Sequence, residues 1–78
     1  DKDFFAKDEI DLTRVNWLAG LEDLQGNLSA RIRYRGKKRP IKQLSQNQIT
    51  FEESVTVAPG QSVVVYLKNR VIGGGVAV

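Results

Sequence analysis

The chain has no cysteine, no histidine and no methionine among its 78 residues. Without cysteine there is no disulfide scaffold, no thiolate metal site and no cysteine nucleophile. Without histidine the commonest general base and the commonest zinc ligand are gone. Without methionine the chain does not open on an initiator residue, and it is expected to be a terminal module cut from something longer. No apolar run approaches the roughly 18 residues of a membrane span, and no basic-then-apolar leader opens the sequence. Acid is missing from one long stretch. Residues 24–51 contain none, and they carry Arg31, Arg33, Arg35, Lys37, Lys38, Arg39 and Lys42, a net +7.

What is present describes one small globular domain. A hydrophobic content of 41% and a charged content of 27% are ordinary for a folded protein. The length is near the lower limit at which one core carries a fold alone. Residues 1–23 hold seven acids against Lys2, Lys7 and Arg14, a net −4, and after residue 51 Glu52 and Glu53 balance Lys68 and Arg70. A central block this one-sided points to an anionic partner. The competing reading is a basic strand and loop that are simply solvated.

The clearest period runs over Asn27–Arg35. Leu28, Ala30, Ile32 and Tyr34 alternate with Asn27, Ser29, Arg31, Arg33 and Arg35, which predicts a half-buried strand with its three arginines on the outer face. Gly36, Lys37 and Lys38 form a polar loop, and Pro40–Leu44 the next strand, with proline at its start or on an edge. Gln48–Glu52 is a short strand with Ile49 and Phe51 on one face, and Ser54–Val57 continues extended. In Ala58-Pro59-Gly60-Gln61, proline at the second position and glycine at the third predict a type II turn. Ser62–Leu67 is apolar on both faces, as in a strand covered on both sides. In so small a domain, the second cover could come from the rest of a larger protein. Asn69-Arg70 reads as a tight hairpin turn with asparagine in the left-handed conformation, followed by a closing strand over Val71–Val78. Upstream, Ile10–Trp17 is strand-like, but its apolar phase slips between Leu12 and Val15, where a bulge would restore register. Leu18, Leu21 and Leu24 are spaced for one short helical turn, and residues 1–9 read as a loose lead-in. The fold class is therefore all-β, a small antiparallel barrel or sandwich.

Candidate chemistry is sparse. Gly73-Gly74-Gly75 is followed by Val-Ala-Val, not by the lysine and hydroxyl residue of a phosphate-binding loop; glycines inside a strand instead let another backbone approach closely. The pairs Asp8-Glu9, Glu22-Asp23 and Glu52-Glu53 are adjacent, so on strands their carboxylates diverge. Trp17 and Tyr34 fall on inward phases. The arginine strand differs, because guanidinium donors match phosphate geometry. Arg31, Arg33 and Arg35 with Lys37, Lys38 and Arg39 form the candidate site, expected to follow a nucleic-acid backbone without reading bases.

The motifs Arg33-Tyr34-Arg35, Pro59-Gly60-Gln61 and Gly73-Gly74-Gly75-Val76, with Asn16-Trp17 upstream, resemble the C-terminal β-barrel domain of the tRNA-specific 2-thiouridylases, which place sulfur on the wobble uridine of certain tRNAs. That family typically carries an R-Y-R strand, then F-D-E-P, an A-V-T-P-G-Q turn and a closing L-G-G-G-V-I. Here the proline of F-D-E-P is Ser54, the usual D-G hairpin is Lys68-Asn69-Arg70, and Lys37-Lys38-Arg39 is more basic than the usual loop.

The resemblance implies a closed barrel like those of translation factors, with no catalytic residue, cofactor or metal in this chain. In that family an N-terminal ATP-pyrophosphatase domain, with an S-G-G-x-D-S loop and two catalytic cysteines, adenylates and thiolates the uridine. ATP and a sulfur-donor protein would therefore serve the parent enzyme. The implied partners of the barrel are tRNA and the catalytic and central domains of the same chain, with no membrane, in the cytoplasm. Two other readings stand beside it. One is a stand-alone single-strand binder, which needs exposed aromatics on its basic face, whereas the aromatics here fall mostly inward. The other is a protein-interaction barrel whose basic face docks on an acidic domain.

Overall fold

A computed structural model describes residues 6–18, 27–32 and 37–78. Among them are six strands: β1 (Ala6–Trp17), β2 (Leu28–Arg31), β3 (Arg39–Leu44), β4 (Gln48–Thr56), β5 (Ser62–Leu67) and β6 (Arg70–Ala77). They close into a barrel in the order β1-β4-β3-β2-β5-β6, every neighbouring pair antiparallel. Apart from Leu18, the helical turn expected over Leu18–Leu24 lies outside the described residues, as does the strand's continuation through Arg33, Tyr34 and Arg35.

The alternation read from the sequence becomes an inside and an outside. Ala30, Ile49, Phe51, Val63 and Val65 are buried in the barrel, joined by Ile10, Leu12, Ile41, Val55, Val57, Ile72 and Ala77. Trp17 packs against this core from its margin, and its indole N–H donates to the Gln46 carbonyl at 3.0 Å. A half-buried tryptophan keeps its polar edge satisfied in this way.

Closure depends on the slip between Leu12 and Val15. The first half of β1 pairs with β4, from Ala6 opposite Thr56 to Asp11 opposite Gln48. Its second half pairs with β6, from Leu12 opposite Ala77 to Trp17 opposite Gly73. Register shifts between Thr13 and Asn16, and Arg14 sits there at φ 53°. This is the expected bulge, and it bends one strand so that it serves two neighbours. β1 begins at Ala6, inside the stretch read as a loose lead-in, because Ala6, Lys7 and Glu9 find partners along β4.

Two further expectations are corrected. The strand expected over Gln48–Glu52 is longer, since β4 runs unbroken over Gln48–Thr56 and takes in most of the extended continuation read at Ser54–Val57. The apparent break is a jump in its pairing with β1, from Thr50 to Val55, which leaves Glu52, Glu53 and Ser54 exposed. The hairpin turn is Lys68-Asn69, not Asn69-Arg70. Leu67 pairs with Arg70, and the left-handed residue is Lys68 at φ 57°. The pairing of the strand ends, which local sequence does not reveal, decides which two residues are left over.

The proline-glycine turn forms as expected. Gly60 has φ 92°, and the Gln61 amide donates to the Ala58 carbonyl at 3.2 Å. The Gln61 side chain returns the favour, its Oε1 accepting from the Ala58 N–H at 2.8 Å. Gly60 N–H donates to the Ala77 carbonyl, and Ala77 N–H to the Gln61 carbonyl, both at 2.8 Å. Glutamine is thus the residue that finishes the turn and pins it to the end of β6. Gln61→Ala should lower stability by about 1 kcal/mol, read as a shift of the urea midpoint, while Gln61→Glu keeps the acceptor and should lose less.

Candidate nucleic-acid interface

The outer face of the sheet is set by pairing. Ser29 lies between Pro40 of β3 and Tyr66 of β5, and Arg31 lies opposite Val64. Paired residues share a face, and Ala30 between them is buried, so Ser29, Arg31, Val64 and Tyr66 point outward. Phe51 is 2% exposed, whereas Tyr66 lies on the face opposite Val63 and Val65.

Two candidate cations converge on the Tyr66 ring. The Arg31 guanidinium carbon is 5.4 Å from its centroid, and the Lys38 ammonium is 4.4 Å from it. Each contact of this kind is worth about 0.5–1 kcal/mol near solvent. Lys38 Nζ also donates to Asn69 Oδ1 at 3.1 Å and to the Lys68 carbonyl at 3.4 Å. It therefore ties the segment before β3 to the β5–β6 turn. Among the described residues, Arg31 Nε is buried and finds no hydrogen-bond partner. An unsatisfied buried N–H costs about 1–3 kcal/mol, and here it belongs to a permanently charged group.

The other candidates scatter. Lys37 is exposed. Arg39 pairs with Ala30 at the start of β3 and is exposed. Arg33 and Arg35 lie outside the described residues. The structure thus brings together Arg31 and Lys38, and adds Tyr66, Lys42 and Lys68. Lys42 was counted in the basic block without a place in the site. Lys68 carried only a turn signal, and Tyr66 only a place on a strand read as apolar on both faces.

Two depressions flank this face. One, of about 690 Å³, is bordered by Lys38, Lys42 and Lys68, with Asn27 and Asn69 beside them and Glu52 as the one carboxylate among the described residues. The other, of about 360 Å³, is apolar and lies over the triple glycine, bordered by Val64, Val71 and Val76. At its rim Leu18 is 68% exposed.

The triple glycine sits inside β6 and makes close backbone contacts on both sides. A Cβ on Gly73 would collide with the Asn16 carbonyl of β1, and one on Gly74 with the Val63 carbonyl of β5. One on Gly75 would sit 2.9 Å from the Thr13 carbonyl. That is the close approach expected of strand glycines. Among the described residues, no three potential metal ligands gather, and no helix is long and apolar enough to cross a membrane.

A model of the aminomethyltransferase β-barrel domain matches residues 7–77. A tRNA-specific 2-thiouridylase of Metamycoplasma arthritidis is 41% identical over 54 residues, covering 64% of this chain and 15% of its own length. Its counterpart from Hydrogenobaculum is 35% identical over 81 residues, covering 97% and 23%. The one from Aquifex aeolicus is 30% identical, covering 97% and 22%. The chain spans less than a quarter of the length of these relatives. No solved structure matches it.

Proposed function

The chain belongs to the aminomethyltransferase β-barrel domain family, as its resemblance to the C-terminal barrel of tRNA-specific 2-thiouridylases implied, and from that membership we propose that it is the accessory C-terminal domain of such an enzyme. Its role is to bind tRNA by the phosphate backbone and hold it while other domains of the same chain thiolate the wobble uridine. The observation that supports this reading most directly is the pair of cations on Tyr66. Arg31 and Lys38 meet on one outward ring, where their charges add. A phosphate oxygen is the acceptor such a guanidinium takes most readily.

The arrangement suits holding rather than chemistry. Permanent positive charge on a rigid sheet attracts a polyanion at long range and fixes its register without distinguishing bases. ATP, the reactive cysteines and the sulfur donor belong to the rest of the parent enzyme, which works in the cytoplasm. The apolar depression over Gly74 is the surface on which those other domains would pack. It gives Val64 and Val71 the second cover that their sequence asks for.

The test is a titration with tRNA at several salt concentrations, comparing the unaltered chain with the Arg31→Ala, Arg33→Ala, Arg35→Ala triple variant. Backbone binding gives a log–log slope of roughly −0.7 to −0.9 per phosphate contact. The triple variant should flatten that slope by about two to three. An absence of binding even at low salt would overturn the reading and leave the barrel as a scaffold.

A further inference from the structure

We propose that the RNA backbone is seated in the groove between β3 and the β5–β6 turn, with Lys42 and Lys68 as its phosphate contacts and Lys38 as a fixed post behind them. This rests on the RNA-binding reading above and gives it a place.

Two features of the backbone single out these lysines. The pairing of β3 with β4 jumps between Ile41 and Gln43, so Lys42 is the extra residue of a bulge. Bulges re-aim a side chain, and this one borders the groove. Lys68 stands in the left-handed region at φ 57°, where glycine or asparagine fits more cheaply. A strained lysine on a charged groove is the kind of outlier from which a role can be inferred. The two come from different strand pairs, and the closed order of the barrel brings them to one depression.

Lys38 plays a different part. Its ammonium already has two oxygen acceptors and a ring beneath it, so it is held in place and adds field rather than a free donor. Among the described residues, the groove carries three lysines against the single carboxylate of Glu52. Its volume of about 690 Å³ falls within the range of ligand clefts, roughly 300–1,000 Å³. Spaced ammonium groups follow a phosphodiester chain as point charges. Ser29 and Asn27, neutral donors and acceptors on the same lining, match the hydroxyls of ribose. An acidic protein segment would use the lysines but not these neutral groups, so RNA is the better occupant.

The experiment measures tRNA binding across salt for the unaltered chain, Lys42→Ala, Lys68→Gly, their combination and Arg31→Ala. Each groove variant should flatten the slope by about 0.7–0.9, and the combination by about twice that. Lys68→Gly relieves the positive φ, so it should melt later than the unaltered chain while binding tRNA less tightly. Lost binding then cannot be ascribed to unfolding. Tight binding with an unchanged slope in the combined variant, but a reduced one in Arg31→Ala, would overturn the groove and leave the RNA reading standing. Failure of the unaltered chain to bind would overturn both. Polyglutamate that binds as tightly as tRNA at matched charge, with the same dependence on Lys42 and Lys68, would make the groove a seat for an acidic protein segment instead.

Discussion

Gly74→Ala is expected to lower the stability of the barrel by about 2–4 kcal/mol, an overpacking cost that its surroundings cannot relieve. The added methyl group would be driven into the Val63 carbonyl, which belongs to a strand hydrogen-bonded along its length to β6. No rotamer change helps, because both colliding groups are backbone. Gly73→Ala should be at least as damaging. It combines a collision with the Asn16 carbonyl and a φ of 148°, a conformation that side chains rarely adopt. A domain of this size has about 4–12 kcal/mol in total at the usual value per residue. The melting temperature should therefore fall by roughly 8–32 °C, since each kcal/mol is about 4–8 °C in so small a domain. Gly60→Ala is the control: its φ of 92° is unfavourable, but the new Cβ meets nothing within 4 Å. It should lose only the conformational part, about 1–2 kcal/mol. Equal losses at Gly60 and Gly74 would mean that close approach is not what holds the glycines in β6.

Phe51→Ala should cost about 3–5 kcal/mol, enough to leave much of the chain unfolded at 37 °C. Phe51 is the largest fully buried side chain, in company with Ile49, Val63 and Val65. It stands opposite Ile41 of β3, on the strand that also pairs with β1. Its removal leaves a cavity in a barrel whose walls are joined all round and cannot collapse inward to fill it. Phe51→Leu should lose far less. A urea titration separates the two, and a small loss for alanine would mean that the walls do yield.

Much of the fold was legible because period-two burial is a local property. Val63 and Val65 face inward, and Val64 and Tyr66 outward, as their order along β5 requires. A slip of one residue between Leu12 and Val15 was enough to reveal a bulge. The proline-glycine pair and the triple glycine each carried a conformational reason visible in the residues themselves. The strand order was not legible, since nothing local says that β2 lies between β3 and β5. For the same reason the candidate site was only half visible. Arg31 could be put on an outer face, but its meeting with Lys38 and Tyr66 joins residues from three separate places in the chain. Lys42 was one charge in the basic block and Lys68 one residue of a turn until the structure showed one in a bulge and the other at positive φ.

β1 belongs to both halves of the wall, and this governs how the barrel can assemble. Its second half pairs with the last strand, Leu12 against Ala77 and Trp17 against Gly73. The ring therefore cannot be completed until residues from opposite ends of the described chain have found each other. Such long closures give little reward until late in folding, and chains dominated by them fold on timescales of milliseconds to seconds. Before that seam closes, β1 and β6 each present an unpaired margin, the surface on which partly folded chains stick to one another. Once it closes, no free margin remains, and opening any one strand breaks the ring on two sides. The native barrel should therefore exchange the amide protons of β5 and β6 together, in a single cooperative opening rather than by fraying from one end.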